Sequence, residues 1–218
     1  IFINEILSSY KNINFNLHFN VEDIRPFLWF NYNETNKPKF EIEVRYTSLL
    51  SLLDKSLDNI FRNLDDVKQR DIKKIKKNQK YKINHNFDLE LLKNLYFKTM
   101  RRNNKGFVDK NFDKMVLFLE KIHQSGKAFQ TNLTFENKTI YSNLFTYHNN
   151  TACYLFGAGD PDIRDRIGGT YSLWKAIERC HSEKINLIDL EGVNSPQRGS
   201  FKLNFGGVIK NYFKIKID

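Results

Sequence analysis

The stretch from Lys127 to Gly157 constrains the fold of this chain most. Three β-prone runs, at 127–135, 138–147 and 151–157, follow one another across short breaks centred on Glu136-Asn137 and Asn149-Asn150. Breaks of this length favour tight hairpins, because Asn accepts the positive φ that a two-residue turn with the right twist requires. Three neighbouring antiparallel strands are therefore expected in the middle of the chain. Two helical patterns precede them. Asp88 can cap a helix to about 102 with Leu91, Leu92, Leu95 and Tyr96 inward, and a helix over about 109–124 buries Phe112, Met115, Val116, Leu119 and Ile122 before Gly126 stops it. A Gly-containing loop at 157–169 leads to a helix at about 170–182, with Leu173, Trp174, Ile177 and Cys180 on one side. A strand at 185–190, a short helical turn near 199–205 and a strand at 207–216 complete the pattern. With a strand at 80–87 in front, the order over 80–218 is β-α-α-β-β-β-α-β-α-β. Such mixing defines an α/β or α+β chain with a central sheet covered by helices.

The first 79 residues carry their own alternation. Ile13, Phe15, Leu17 and Phe19 mark a half-buried strand over 13–20, and Phe40, Ile42, Val44 and Tyr46 mark another. Between them, Phe27–Tyr32 reads as a short aromatic strand or loop after Pro26, and Lys37-Pro38 as a turn. Asp54 can cap a helix over about 55–64, and a basic helix over about 66–77 is anchored by Val67, Ile72 and Ile75. The net charge of +10 concentrates here: Lys68, Arg70, Lys73, Lys74, Lys76, Lys77, Lys80 and Lys82 stand against Asp71 alone. Such a face attracts phosphate-rich partners, a coenzyme, a nucleotide-sugar or an RNA, and the same pattern also describes a solvated helix surface. No run of about 18 apolar residues exists, so no membrane span is expected. The opening Ile-Phe-Ile-Asn-Glu lacks the form of a secretion signal, which makes the cytoplasm the default compartment. Cys153 and Cys180 read as buried, reduced thiols.

Two segments carry a family resemblance. Residues 169–207, GTYSLWKAIERCHSEKINLIDLEGVNSPQRGSFKLNFGG, resemble the C-terminal signature of the FemAB-like and BioF2-like acyltransferases of the GNAT superfamily, in which a helix leads to a strand ending in an acid and Gly and then to a Phe-Lys-x-x-Phe turn. Residues 45–77 are similar to that family's central segment, a strand followed by a helix and a basic helix. The resemblance implies a GNAT-like mixed sheet flanked by helices, with 80–218 as the acyltransferase core and 1–79 as a reduced or partial N-terminal GNAT-like unit. It implies an N-acyltransferase acting by direct attack of an amine. The donor it implies is an acyl-CoA, acetyl-CoA first, and the acceptor a small-molecule amine such as a nucleotide-linked amino sugar. The alternatives are an aminoacyl-tRNA donor serving a cell-wall precursor, and a non-catalytic binding scaffold. The oligomeric state is left open.

Candidate residues follow from the chemistry such a reaction needs. A helix N-terminus offers unpaired N–H groups to donor phosphates, and Arg164, Arg166, Gly168, Gly169 and Thr170 stand where the fold places that turn. The usual GNAT pattern there, Arg or Gln, two residues, Gly, one residue, Gly or Ala, is not met, because Asp165 and Thr170 occupy its outer positions. Asp189 and Glu191 alternate onto one face of a strand end, and either can accept the amine's proton. By resemblance, Lys202 faces the negative charge that develops on the carbonyl oxygen. Asn194, Ser195 and Arg198 lie between Glu191 and Lys202 and are candidates for holding the acceptor. His148 and His181 read as structural. No metal site is expected, since no His or third acid neighbours Asp189 and Glu191 in sequence.

Overall fold

The computed structural model describes residues 2–10, 12–102, 109–163, 165 and 167–218. Along the chain run α1 (Phe2–Ser9), β1 (Ile13–Asn16), α2 (Arg25–Leu28), β2 (Glu41–Ser51), α3 (Leu57–Arg62), α4 (Asp66–Lys76), β3 (Tyr81–Asn84), α5 (Leu89–Arg102) and α6 (Asp109–Gln124). They are followed by β4 (Ala128–Phe135), β5 (Lys138–His148), β6 (Thr151–Gly159), α7 (Gly168–Ser182), β7 (Leu187–Gly192), α8 (Pro196–Leu203) and β8 (Val208–Ile217).

Local chemistry accounts for most of these boundaries. Both central turns have two residues at positive φ, Glu136 (48°) with Asn137 (67°) and Asn149 (46°) with Asn150 (61°), which matches the twist of the strands they join. Asp88 caps α5 by accepting the N–H of Leu91 at 2.9 Å. Gly126, at φ 73°, ends the turn after α6. Several expectations shift. The strand expected over 13–20 stops at Asn16. Of the aromatic stretch after Pro26, Phe27 and Leu28 end the short helix α2, in whose first turn the missing N–H of Pro costs nothing, and Trp29 to Tyr32 form the turn that follows. Ser56 rather than Asp54 caps α3, accepting from the N–H of Asn59, while Asp54 sits at φ 55° in the preceding turn.

The eight strands among the described residues form one sheet in the order β1-β8-β2-β7-β6-β5-β4-β3. β1 and β2 come from the first 79 residues, and β8 lies between them. Every pairing is antiparallel except β6 with β7. Adjacent residues of β5 serve opposite faces: Phe145 enters a core with Trp174, Leu173 and Ile177 of α7 and with Ile60 and Ile72 of α3 and α4, and Leu144 enters a second core with Leu92, Leu95 and Leu119 of α5 and α6. Each face is thus sealed by its own helices. Lys98 of α5 reaches the buried Asp160 (3.3 Å) at the end of β6, which Lys138 also contacts at 3.0 Å. This pins α5 to the strand that carries the cleft.

Candidate active site

The parallel pair provides the opening. β6 and β7 pair at Thr151↔Leu187, Ala152↔Ile188 and Cys153↔Asp189 and at no later position, although β6 continues to Gly159 and β7 to Gly192. The strands therefore part beyond Cys153. On β6 a bulge follows at once, since Leu144 and Phe145 of β5 pair with Phe156 and Tyr154 and leave Leu155 without a ladder partner. A cavity of about 370 Å³ fills the gap. Tyr96, Thr99 and Met100 of α5 form one wall, residues 154–159 of β6 the floor, and Gln197, Arg198, Phe201 and Lys202 of α8 the other wall.

The charged cluster sits where the two strands part. β7 is itself bulged, with Leu190 and Glu191 standing against Ser48 alone, and Glu191 adopts φ 63°. The bulge brings the two carboxylates together: Asp189 Oδ1 accepts the N–H of Glu191 at 2.8 Å and the hydroxyl of Thr47 from β2. Cys153 donates its thiol to Glu191 Oε1 at 3.0 Å. Lys202 Nζ lies 3.4 Å from the carbonyl oxygen of Gly192 and 5.4 Å from the centre of the Tyr154 ring. Burial pushes the Lys202 ammonium below the usual lysine range, against the pull of Glu191 and Asp189. Burial raises the Asp189 carboxyl, against the Thr47 and Glu191 hydrogen bonds that favour its ionised form. Burial, reinforced by Glu191, drives the Cys153 thiol far up, so it is held as a neutral thiol rather than a nucleophilic thiolate.

Beneath this cluster runs a buried polar chain. The Tyr154 hydroxyl donates to Asn143 Oδ1 (2.9 Å), and Asn143 Nδ2 donates to Ser172 Oγ of α7 (2.7 Å). Gly157 makes room for it: a Cβ there would lie 1.7 Å from the Tyr154 oxygen.

The start of α7 is occupied by the protein itself. Asp165 Oδ1 accepts the N–H groups of both Ile167 and Gly168 at 2.8 Å. The room beside Gly168 and Gly169 is taken by the ring of Tyr141, which lies 2.9 Å and 3.1 Å from where their Cβ atoms would stand, and the Tyr141 hydroxyl donates to the Asp165 carbonyl. Thr170 is buried and accepts the ammonium of Lys68 at 3.1 Å. Lys68 therefore leaves the basic face of α4 and turns inward, 4.1 Å from the centre of the Phe201 ring, and burial lowers its pKa. Arg164 and Arg166 lie outside the described residues. Of the acceptor candidates, Arg198 lines the cavity. Asn194 spends its carboxamide on β2, accepting the N–H of Tyr46 at 2.8 Å and donating to its carbonyl at 3.0 Å. Ser195 precedes α8 with no side-chain bond to its first turn and lies with Asn194 on a second groove. Lys202, Asp189 and Glu191 thus come together with Arg198 nearby, while Asn194 and Ser195 face away from the cavity. Cys153 reads from the sequence only as a buried, reduced thiol, and Thr47 is not singled out; Thr47 lies 142 positions from Asp189, and no local pattern links them.

An antiparallel sheet with one parallel pair that parts over a cleft, a bulged strand beside it and helices on both faces is the architecture of the GNAT acyltransferases. Solved structures of low sequence identity share the fold. FemX matches with TM-score 0.68 and 11% identity over 97% of this chain and 76% of its own. L-PGS from Bacillus licheniformis gives 0.63 and 10% over 98% and 70%. A tandem GNAT protein from the clavulanic acid biosynthesis pathway gives 0.58 and 10% over 95% and 63%. Residues 110–214, just under half of the chain, match the FemAB family. These likenesses show a GNAT-like fold, and residues 110–214 are similar to the FemAB family. No curated protein matches it in sequence. Among the described residues, no helix is long and apolar enough to cross a membrane, and no group of three His, Cys, Asp or Glu side chains is placed to hold a metal ion.

Proposed function

We propose that this chain transfers an aminoacyl group from the ester of a charged tRNA to the amine of a second substrate by direct attack in the cleft between β6 and β7. The observation that carries the reaction is the half-buried Lys202 beside Asp189 and Glu191 at the point where the strands part. The amine nitrogen attacks the ester carbonyl carbon, and the C–N bond forms as negative charge collects on the carbonyl oxygen. Lys202 faces that charge in a partly desolvated site, where a placed cation is worth several kcal/mol. Leu155, unpaired at the bulge, adds backbone polarity to the same wall. The proton lost by nitrogen passes to the Asp189–Glu191 pair. The C–O bond to the ribose then breaks, and the leaving oxygen takes a proton from the same pair. Nothing here requires a covalent acyl-enzyme, in keeping with the un-ionised Cys153.

The donor follows from the start of α7. In a GNAT enzyme that uses coenzyme A, this turn offers free N–H groups to a pyrophosphate. Here Asp165 holds the N–H groups of Ile167 and Gly168, and Tyr141 fills the space at Gly168 and Gly169. A phosphate would meet a carboxylate and an aromatic ring, so these residues do not fit coenzyme A. An ester donor held by its polyanionic carrier needs no such turn, and the exposed Arg70, Lys73 and Lys74 of α4 with Lys77, Lys80 and Lys82 after it supply a face for it. Acetyl-CoA with an amino-sugar acceptor is the second reading, and what favours it is the GNAT topology itself.

The deciding experiment supplies the protein with radiolabelled aminoacyl-tRNA or acetyl-CoA and an amine panel. Transfer from the tRNA, lost on replacing Lys73, Lys74, Lys76 and Lys77 by Gln and falling steeply with salt, supports the proposal. Transfer from acetyl-CoA alone overturns it.

A further inference from the structure

The carboxylates of Asp189 and Glu191 present four oxygens, and the fold does not treat them alike. Asp189 Oδ1 accepts two donors, the N–H of Glu191 at 2.8 Å and the hydroxyl of Thr47. Glu191 Oε1 accepts one, the Cys153 thiol at 3.0 Å, and a thiol is a weak donor. Among the described residues no hydrogen bond reaches Asp189 Oδ2. This oxygen is not sealed in either, since the buried side-chain atoms left without a partner among those residues are Ser48 Oγ and Asp165 Oδ2.

Two features of the sheet set this up. β2 and β7 pair at Leu49↔Asp189 and again at Thr47↔Gly192, so the extra residue lies on β7. There Glu191 adopts φ 63°, and its N–H turns back onto the Asp189 carboxylate. On β2, Thr47 stands two residues before Leu49, so its side chain points to the same face as Leu49 and its partner Asp189. Thr47 is 2% exposed, which leaves no bulk water to compete for its hydroxyl. A hydroxyl has one proton to donate, and this one goes to Asp189 Oδ1.

We infer that Thr47 is a positioning residue which, with the Glu191 N–H, clamps Asp189 by Oδ1 and leaves Oδ2 as the oxygen that accepts the amine's proton, so that Asp189 rather than Glu191 is the base. An unclamped carboxyl turns about χ2 with a broad, two-fold preference, and either oxygen then faces a substrate. Here both lone pairs of Oδ1 are engaged, so an arriving proton settles on Oδ2. Oδ1 then becomes the carbonyl oxygen of a carboxylic acid and still accepts both donors. The clamp therefore holds through the cycle. The proton leaves nitrogen as the C–N bond forms, rests on Oδ2, and passes to the ribose oxygen as the C–O bond breaks. Glu191 is left as the counter-charge of Lys202, whose ammonium it favours. The base stands on β7 and its clamp on β2, so the first 79 residues complete the site. The part played by Oδ2 rests on the transfer reaction proposed above; the clamp does not.

Besides Thr47, the groups that act on the Asp189 carboxyl are Glu191 of its own strand, Lys202 of α8 and the Cys153 thiol of β6. The test leaves these in place and follows the Asp189 carboxyl carbon by carbon-13 NMR against pH, in the whole chain without substrate, with Asp189→Asn for assignment. Thr47→Val keeps the β-branched shape and removes the donor. The lost bond favoured the ionised form, so the titration should move to higher pH in Thr47→Val and return in Thr47→Ser. Thermal unfolding checks that each variant is folded, and Thr47→Ala takes the place of Thr47→Val should the latter not fold. A titration that stays where it was overturns the clamp. So does a shift that Thr47→Ser fails to reverse, because the hydroxyl is then not its cause. In transfer assays kcat of Thr47→Val should fall roughly tenfold or more with KM little changed, and the acid limb of the rate should follow the NMR titration. An acid limb that persists in Asp189→Asn and disappears in Glu191→Gln overturns the assignment of the base. A titration that moves as expected in a protein that transfers nothing sinks the transfer reading and leaves the clamp standing.

Discussion

Gly157→Ala probes how tightly the floor of the cleft is built. A Cβ at this position would lie 1.7 Å from the Tyr154 hydroxyl oxygen, 2.7 Å from its Cζ and 3.1 Å from Asn143 Oδ1, whereas ordinary contacts begin at 3.4 Å. Tyr154 cannot simply turn aside, because its ring is stacked on Phe145 at 5.0 Å in the core. Overpacking of this kind costs about 1–3 kcal/mol. Losing the Tyr154–Asn143 bond in a buried position adds about 1–3 kcal/mol. The expected destabilisation is about 4 kcal/mol, or a fall in Tm of roughly 8–16 °C for a chain of this size. Thermal and urea unfolding of Gly157→Ala, Tyr154→Phe and the double variant measure it. Tyr154→Phe alone costs about 1–2 kcal/mol through the unpaired Asn143. In the double variant the nearest clashing atom is gone, so the double should be more stable than the sum of the singles by at least about 1.5 kcal/mol. If the two losses simply add, the hydroxyl is not what the methyl meets, and the account of the floor is wrong.

Activity against pH should be bell-shaped. Asp189 must lose its proton to serve as base and its pKa is raised, so the acid limb lies above 3.8; Lys202 must keep its proton and its pKa is lowered, so the alkaline limb lies below 10.5. A rate profile whose alkaline limb is unmoved in Lys202→Arg would contradict this. The same raised Asp189 pKa affects folding: the folded state binds this proton more tightly than the unfolded chain, so stability contributed by Asp189 falls as pH rises from about 3.8 through the folded value. Asp189→Asn should flatten that slope in urea titrations at stepped pH. Asp165→Ala removes the acceptor for two helix-start N–H groups and should cost about 1–2 kcal/mol without creating coenzyme A binding in isothermal titration. Lys68→Met keeps the stem against Phe201 and removes an ammonium that has no carboxylate partner among the described ion pairs, so Tm should hold or rise; a fall of several degrees would mean that the Thr170 contact outweighs the burial of the charge.

The strands and helices between Tyr81 and Ile217 were legible because their signals are local: Asn-rich turns with positive φ, the Asp88 cap and helical spacing of Leu and Phe. Of the two readings of the aromatic segment after Pro26, the strand failed because Pro starts a short helix through Leu28, and the loop holds for Trp29 to Tyr32. In the site, Asp189, Glu191 and Lys202 stood out as charged residues in a resembling segment. Alternation already puts Asp189 and Glu191 on one face; what it does not reveal is the bulge at Glu191, which turns the Glu191 N–H onto Asp189 Oδ1. The helix start at Gly168 and Gly169 invited a phosphate because two glycines open space. Which group fills that space is decided by Tyr141, a residue of another strand, and by the Asp165 carboxylate. Thr47 and the inward turn of Lys68 are consequences of strand order and helix packing, which one sequence does not encode in any nearby pattern.

The place of β8 between β1 and β2 has a temporal consequence. During synthesis β2 leaves the ribosome long before either of its partners, since β7 and β8 follow roughly 140 residues later, about 7–30 s at ordinary elongation rates. Until then β2 has two open edges in a crowded cell. Its first half answers with charge, Glu41, Glu43 and Arg45 alternating along the strand, which discourages self-association of a nascent segment. Its apolar half, Leu49 to Leu52, can shelter against α3, which is made next. The left half of the sheet is therefore closed last and from the C-terminal side, and deletion of β8 should leave a chain that aggregates rather than a smaller folded protein.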